Sequence, residues 1–330
     1  MIAVESLTKV YGRRHAVDHI DFHADRGEIV GFLGPNGAGK TTTMRILSGF
    51  MPPTSGKASV GGFDVVEQSL EVRKRVGYLP ETVPLYTDMT VYDYLTYMGK
   101  LHKVEDVEDR VEDVLEMVNM ESRIDSFISS LSKGMRQRIG LAQALIHDPD
   151  VLILDEPTIG LDPAQIIEIR HLIRELGAEH TILLSTHILS EVQQLCDRIL
   201  VINRGKIVAE GTPKNLEQRL AGAGRVSLQV LGAAEGLAGV VQKVPGVQSI
   251  LHVEDGNLEF MTAPGAESRP AVAKAVVGAG YDLVEIRSVG MSLEQIFLEL
   301  TAEDPALSAG AFEPEEPRAS QGETEDEDEE

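Results

Sequence analysis

Nine residues, GPNGAGKTT from Gly34 to Thr42, concentrate groups that can hold phosphate. They follow the apolar run Ile29–Leu33 and fit the spacing G-x-x-x-x-G-K-[ST], with Gly34, Gly39, Lys40 and Thr41 at its fixed positions. Glycines let backbone N–H groups curl around phosphate oxygens, and a helix starting here aims its partially positive end at the same anion. Lys40 can reach the β- and γ-phosphates, and the Thr41 hydroxyl can ligate Mg²⁺. A flexible turn would explain the glycines alone; a strand before and the helical pattern TTTMRILSGF after favour a phosphate cradle. Pro35, Asn36, Gly37, Ala38 and Thr42 complete the candidate nucleotide-binding loop.

A second stretch, VLILDEP, runs from Val151 to Pro157. An apolar strand ending in Asp155 puts a carboxylate where Mg²⁺ beside a phosphate loop would sit. Glu156, next in line, can polarise a water attacking the γ-phosphate. Two acids at a strand end are ordinarily solvated loop residues. The phosphate loop upstream is what makes them candidates.

The third stretch is LSKGMRQR, Leu131–Arg138, followed by the helical pattern IGLAQALIHDP and then VLILDEPTIGLD. With it, the chain resembles the nucleotide-binding domain of ABC transporters: a signature similar to LSGGQ stands just upstream of the Walker B strand. The resemblance extends residue by residue. Tyr11 in LTKVYG matches the aromatic residue that stacks on adenine, and Glu81 in VGYLPE takes the place of the Q-loop glutamine. Asp162 in TIGLD matches the D-loop, and His187 in LLSTH the switch histidine. The resemblance implies an ATPase that binds ATP and Mg²⁺ in a head-to-tail dimer. Lys40, Thr41 and Asp155 of one copy would hold ATP and Mg²⁺, with Glu81 near the metal. Ser132 and Gly134 of the other copy would contact the γ-phosphate. Ser132 also reads as the N-cap of a helix over Lys133–His147, whose dipole favours an anion. Glu156, His187 and Glu81 would carry the catalytic roles, and Asp162 would join the nucleotide contacts.

Two departures stand out. The signature reads S-K-G-M, so Lys133 adds a positive charge and Met135 removes a polar group. Glu81 is a carboxylate where the family has an amide, able to accept from metal-bound water but not to donate. GYLPE, LSKGMRQR and DEPTIGLDP together resemble the branch of bacterial ATPases that serves multidrug, sodium or gliding-motility exporters, which often carries a C-terminal extension.

The elements that must position these residues are legible in outline. Over residues 1–220, short apolar runs such as Val151–Leu154, Thr181–Leu184 and Arg198–Ile202 alternate with helical patterns, which predicts an α/β ATPase domain with a largely parallel sheet. Between about residues 85 and 147 the pattern is helical only, predicting a helical subdomain. Beyond the small-residue linker Ala221–Arg225, residues 225–302 read βαββαβ around the turn Glu254–Asn257, a small α+β, ferredoxin-like domain. Its last predicted element is the helical SLEQIFLELT.

The chain has 330 residues and a net charge of −23. Residues 303–330 form an acidic tail. From Glu313 onward it holds ten acids against Arg318 alone, a net −9 that leaves −14 on the preceding 312 residues, and its composition predicts disorder. An acidic body argues against a nucleic-acid partner. No apolar run is long enough to span a bilayer and no secretion signal heads the chain. One cysteine, Cys196, reads as a buried apolar residue in a reducing compartment. The expected function is therefore a cytoplasmic ATPase held at the inner face of the membrane, powering export through a separate permease chain. A soluble ABC ATPase acting as a nucleotide-driven clamp is the alternative; such proteins usually carry two cassettes or long coiled coils, and neither is present.

Overall fold

The computed structural model describes residues 1–220, 224–232, 235–254, 256–263 and 268–288. The predicted helix SLEQIFLELT, the acidic tail and most of the Ala221–Arg225 linker lie outside the described residues.

The chain opens with two long strands, β1 (Ile2–Tyr11) and β2 (Arg14–Ala24), followed by β3 (Ile29–Leu33) and α1 (Lys40–Leu47). Next come β4 (Ser55–Val60), β5 (Phe63–Asp64), α2 (Ser69–Arg73) and β6 (Val76–Leu79). The helical subdomain contains α3 (Val91–His102), α4 (Val107–Met117) and α5 (Lys133–Leu145). Then β7 (Val151–Asp155), α6 (Pro163–Leu176), β8 (Thr181–Thr186), α7 (Leu189–Leu195) and β9 (Arg198–Asn203) alternate, before β10 (Lys206–Gly211) and α8 (Pro213–Leu220).

Six of these strands form one sheet in the order β10-β9-β3-β8-β7-β6. All of its pairings are parallel except β9 with β10. Both faces are covered, which is why the strands read as unbroken apolar runs. Alternate residues enter opposite cores. Leu152 and Leu154 face the layer made by the helices, with Ile182, Leu184 and Ile199. Val151 and Ile153 face the other way, against α1 and the N-terminal strands, with Val30, Phe32 and Leu183. Each fully buried aliphatic side chain here contributes on the order of 2 kcal/mol.

The second core layer is closed by an antiparallel sheet, β2-β1-β4-β5, absent from the alternating pattern read from the sequence. Register shifts along β1 disturb its two-residue period, and Ser6 within it has φ 47°, so the strand does not announce itself. Cys196, at the end of α7, lies against β3 where Gly31 leaves room: a Cβ there would come within 2.7 Å of its Sγ.

Starting within the expected linker, at Gly224, β11 (Gly224–Val230), α9 (Leu237–Val241), β12 (Val247–Glu254), β13 (Asn257–Thr262), α10 (Arg269–Gly278) and β14 (Leu283–Ser288) follow the expected βαββαβ order. Their sheet runs β12-β13-β11-β14 and is antiparallel throughout, the ferredoxin-like arrangement. It has its own core, centred on Leu228, Leu258 and Phe260.

Candidate functional site

Because β3, β8, β7 and β6 are parallel neighbours, their C-terminal ends share one edge of the sheet. Such an edge is where ligands of open α/β sheets bind. The glycine-rich loop leaves β3 there, Asp155 ends β7, His187 follows β8, and Glu81 follows β6. The segments after β3, β7 and β6, far apart in sequence, line one cleft of about 450 Å³, and His187 meets it through Glu156 rather than lining it. It is lined by Asn36, Gly37, Gly39, Lys40, Thr41 and Thr42 of the loop, with Tyr11, Glu81 and Glu156 around them.

The loop is built to leave donors free. Gly39 stands at the N-cap of α1 with φ 114°, and no side chain caps the helix. Only glycine suits the position, since a Cβ would also sit 2.4 Å from the Ala16 carbonyl. Gly34 and Pro35 contribute carbonyls, accepting from Lys40 Nζ at 2.8 and 3.4 Å, and Ala38 is buried in the core.

Lys40 is itself buried, and its ammonium lies 3.1 Å from Glu156 Oε1, a close ion pair without hydrogen-bond alignment. The second Glu156 oxygen, Oε2, meets His187 Nδ1 at 2.8 Å. Glu156 adopts φ 51°, a strained setting for a side-chain-bearing residue, which its surroundings hold in place. Its N–H donates to both the carbonyl and the hydroxyl of Ser185, each at 3.1 Å.

Asp155 is fully buried. Its Oδ1 accepts from the Ser185 hydroxyl at 2.5 Å, while Oδ2 has no hydrogen-bond partner. Burial pushes this carboxyl above the ordinary aspartate range; the Ser185 and Thr41 hydroxyls oppose the rise, and the Glu156 charge adds to it. A buried oxygen lacking a donor, on a carboxyl whose charge is disfavoured, suits a cation. Among the described residues no three His, Cys, Asp or Glu side chains form a metal cluster, so most of the ligands would have to come from a bound phosphate and water.

Tyr11, 47 % exposed, stands at the end of β1 with its hydroxyl 3.2 Å from Met51 Sδ and the Lys9 ammonium 5.5 Å from its ring centroid. Ser132 and Gly134 line a separate hollow with Gln165 and Glu168, away from the cleft. Ser132 caps α5, accepting from Met135 N, and the helix ends at Leu145, shorter than expected. Asp162 caps α6 in a reciprocal box with Gln165 and does not line the cleft. Lys133 turns toward its own chain's D-loop, where a Cβ on Gly160 would meet its ammonium at 2.0 Å.

Two participants escaped sequence reasoning. Arg14, whose guanidinium donates to the Gly37 carbonyl at 3.0 Å, braces the loop from β2. Ser185 holds both acids, and its only signal was a hydroxyl inside an apolar strand.

The family described as ABC transporter matches residues 17–159. Linearmycin resistance ATP-binding protein LnrL of Bacillus subtilis (strain 168) is 32 % identical over 305 residues, covering 91 % of this chain and 98 % of that one. The chain belongs to the ABC transporter ATP-binding proteins. Bacitracin transport ATP-binding protein BcrA of Bacillus licheniformis is 35 % identical, covering 91 % of this chain and 97 % of that protein. Daunorubicin resistance ATP-binding protein DrrA3 of Streptomyces coeruleorubidus is 34 % identical, covering 94 % and 98 %. Among solved structures, an ATP-binding subunit of an ABC transporter aligns with a TM-score of 0.61 at 32 % identity, over 66 % of this chain and 92 % of that one. This ABC protein is an ATP-binding subunit with ATPase activity, and its substrate is ATP.

Proposed function

We propose that this ATPase powers export through a separate membrane permease. Three relatives named for linearmycin or daunorubicin resistance or bacitracin transport match nearly the whole chain, C-terminal domain included, which supports the export reading. Among the described residues no helix is long and apolar enough to cross a membrane, and the relatives' names as ATP-binding proteins support a permease on another chain. We place the protein in the cytoplasm, held at the inner face of the membrane by that permease.

The observation that carries the catalytic reading is the Lys40–Glu156–His187 cluster beside the unpartnered Asp155 Oδ2. Tyr11 stacks on adenine, and the loop N–H groups with Lys40 hold the phosphates. Thr41 and Asp155 would hold Mg²⁺, with Glu81 beside them, and the ion would supply charge neutralisation to the phosphates. A triphosphate competes with Glu156 for Lys40, and that exchange frees the Glu156 carboxylate to accept a proton from the attacking water. His187, already on the other Glu156 oxygen, orients it. The new bond joins the water oxygen to the γ-phosphorus, and the bond to the β-phosphate oxygen breaks.

Ser132 and Gly134 lie apart from the cleft of their own chain, which supports the reading that they act on the nucleotide of a second copy, as the family resemblance implies. ATP hydrolysis by the purified chain, beside Glu156→Gln with the oligomeric state read in the same samples, tests the whole scheme. Turnover should fall at least ~100-fold, with an ATP-dependent dimer accumulating. Native turnover in the variant would refute the assignment of Glu156.

A further inference from the structure

Glu191 is wholly buried although it sits on α7, a short helix with one face to solvent. Its two carboxyl oxygens go to three different segments. Oε1 accepts from the Thr158 hydroxyl at 2.5 Å and lies 3.6 Å from the Arg170 guanidinium. Oε2 accepts from the Thr186 hydroxyl at 2.6 Å.

Those partners are not arbitrary. Thr158 lies two residues after Glu156, in a turn tied further by Ile159 N to the Glu156 carbonyl and Leu161 N to the Thr158 carbonyl. Thr186 immediately precedes His187, and its hydroxyl accepts from Ile188 N at 3.0 Å, so both flanks of the histidine are held. Arg170 belongs to α6, the helix that Asp162 caps. Burying a carboxylate costs solvation that a well-packed apolar residue would not, so stability alone is a weak reason to put one here.

We infer that Glu191 is a positioning residue. It fixes the Glu156 and His187 loops relative to each other, acting on turnover without touching the nucleotide. The Glu156–His187 contact spans loops from two neighbouring strands, and rates of positioned groups fall steeply with displacements near 1 Å. This rests on the roles proposed above for Glu156 and His187.

The test is steady-state ATP hydrolysis by the full chain carrying Glu191→Ala, Glu191→Gln, Thr158→Val or Thr186→Val. Turnover is expressed per nucleotide-binding site, with ATP affinity and thermal midpoint measured on the same samples. Glu191→Ala should lose ~10- to 100-fold in kcat while ATP affinity stays within ~3-fold. Glu191→Gln, which keeps a hydrogen-bonding group of the same shape, should recover most of that loss. A kcat within ~2-fold of native, a parallel loss of kcat and affinity, or no recovery by glutamine would overturn the inference. Should Glu191→Ala not fold, the same split is read on the two threonine variants. Glu156→Gln is assayed alongside: if it hydrolyses ATP normally, the functional reading itself fails. If it is inert while Glu191→Ala is active, only the positioning role fails.

Discussion

Replacing Glu156 with glutamine while leaving Lys40 in place isolates the ion pair at the centre of the cleft. At 3.1 Å and an effective dielectric of about 20, the pair's gross attraction is about 5 kcal/mol. Removing one member of a buried pair typically costs about 3–5 kcal/mol, because the other charge is stranded. Lys40 is not wholly stranded here, since the Gly34 and Pro35 carbonyls still accept from it. Losing the Glu156 charge also relieves Asp155, whose carboxyl it holds upward. Both corrections reduce the loss, to about 2 kcal/mol, or roughly a 4–8 °C drop in Tm for a domain of this size. The thermodynamic cycle gives a second consequence. ADP phosphates must displace Glu156 from Lys40 in the native chain but not in the variant, so ADP should bind the variant about 30-fold more tightly, bringing the two complexes to similar stability. ADP is the ligand of choice, because neither hydrolysis nor an ATP-trapped dimer then enters the reading. Differential scanning fluorimetry without nucleotide, paired with an ADP titration, measures both. A variant whose Tm lies within ~1 °C of native and whose ADP affinity is unchanged would refute this account of the Lys40–Glu156 pair.

Three further outcomes follow from the same geometry. Ser185→Ala removes the hydroxyl that binds Asp155 and receives the Glu156 N–H; urea denaturation should show a loss of about 1–3 kcal/mol, with turnover falling at least ~10-fold. Asp155→Asn should raise Tm at neutral pH, because the folded chain disfavours a charged carboxyl there. The native penalty is present above the raised folded pKa and fades as pH falls through it, so the variant's advantage in melts from pH 8 to 4 should shrink toward the acid end; a constant advantage would contradict it. Gly77→Ala puts a Cβ 2.2 Å from the Ala144 carbonyl oxygen and 2.8 Å from Leu152 Cδ2, where β6 meets α5. Neither backbone can yield cheaply, so the urea midpoint should fall by the equivalent of about 3 kcal/mol.

Elements whose burial is uniform or regularly periodic could be read directly. Buried on both faces, β7 appears as VLILD, and α3 and α4 show apolar residues at three- and four-residue spacing. The βαββαβ pattern of the C-terminal domain survived intact because its turn signal separates two clear strands, β12 and β13. Long-range pairing was another matter. Nothing local places β3 between β8 and β9, whose partners lie about 150 residues downstream. The P-loop lysine and the strand-end acids were legible as candidates, yet their mutual pairing was not, since it depends on that strand order. Glu191 shows the limit most clearly. Third in the short helix LSEVQQL, it carries no local signal of burial, and only the approach of Thr158 and Thr186 from other segments encloses it.

Cys196 gives the molecule an internal clock. It is the chain's one thiol, packed against the central strand at Gly31, and burial pushes its ionisation well above the usual thiol range. Only a thiolate with a clear approach reacts quickly with an alkylating reagent. Modification must therefore wait for α7 to lift from β3, next to the His187 loop and on the helix that carries Glu191. The pace of alkylation then reports how often that seam opens, without any probe being added to the protein.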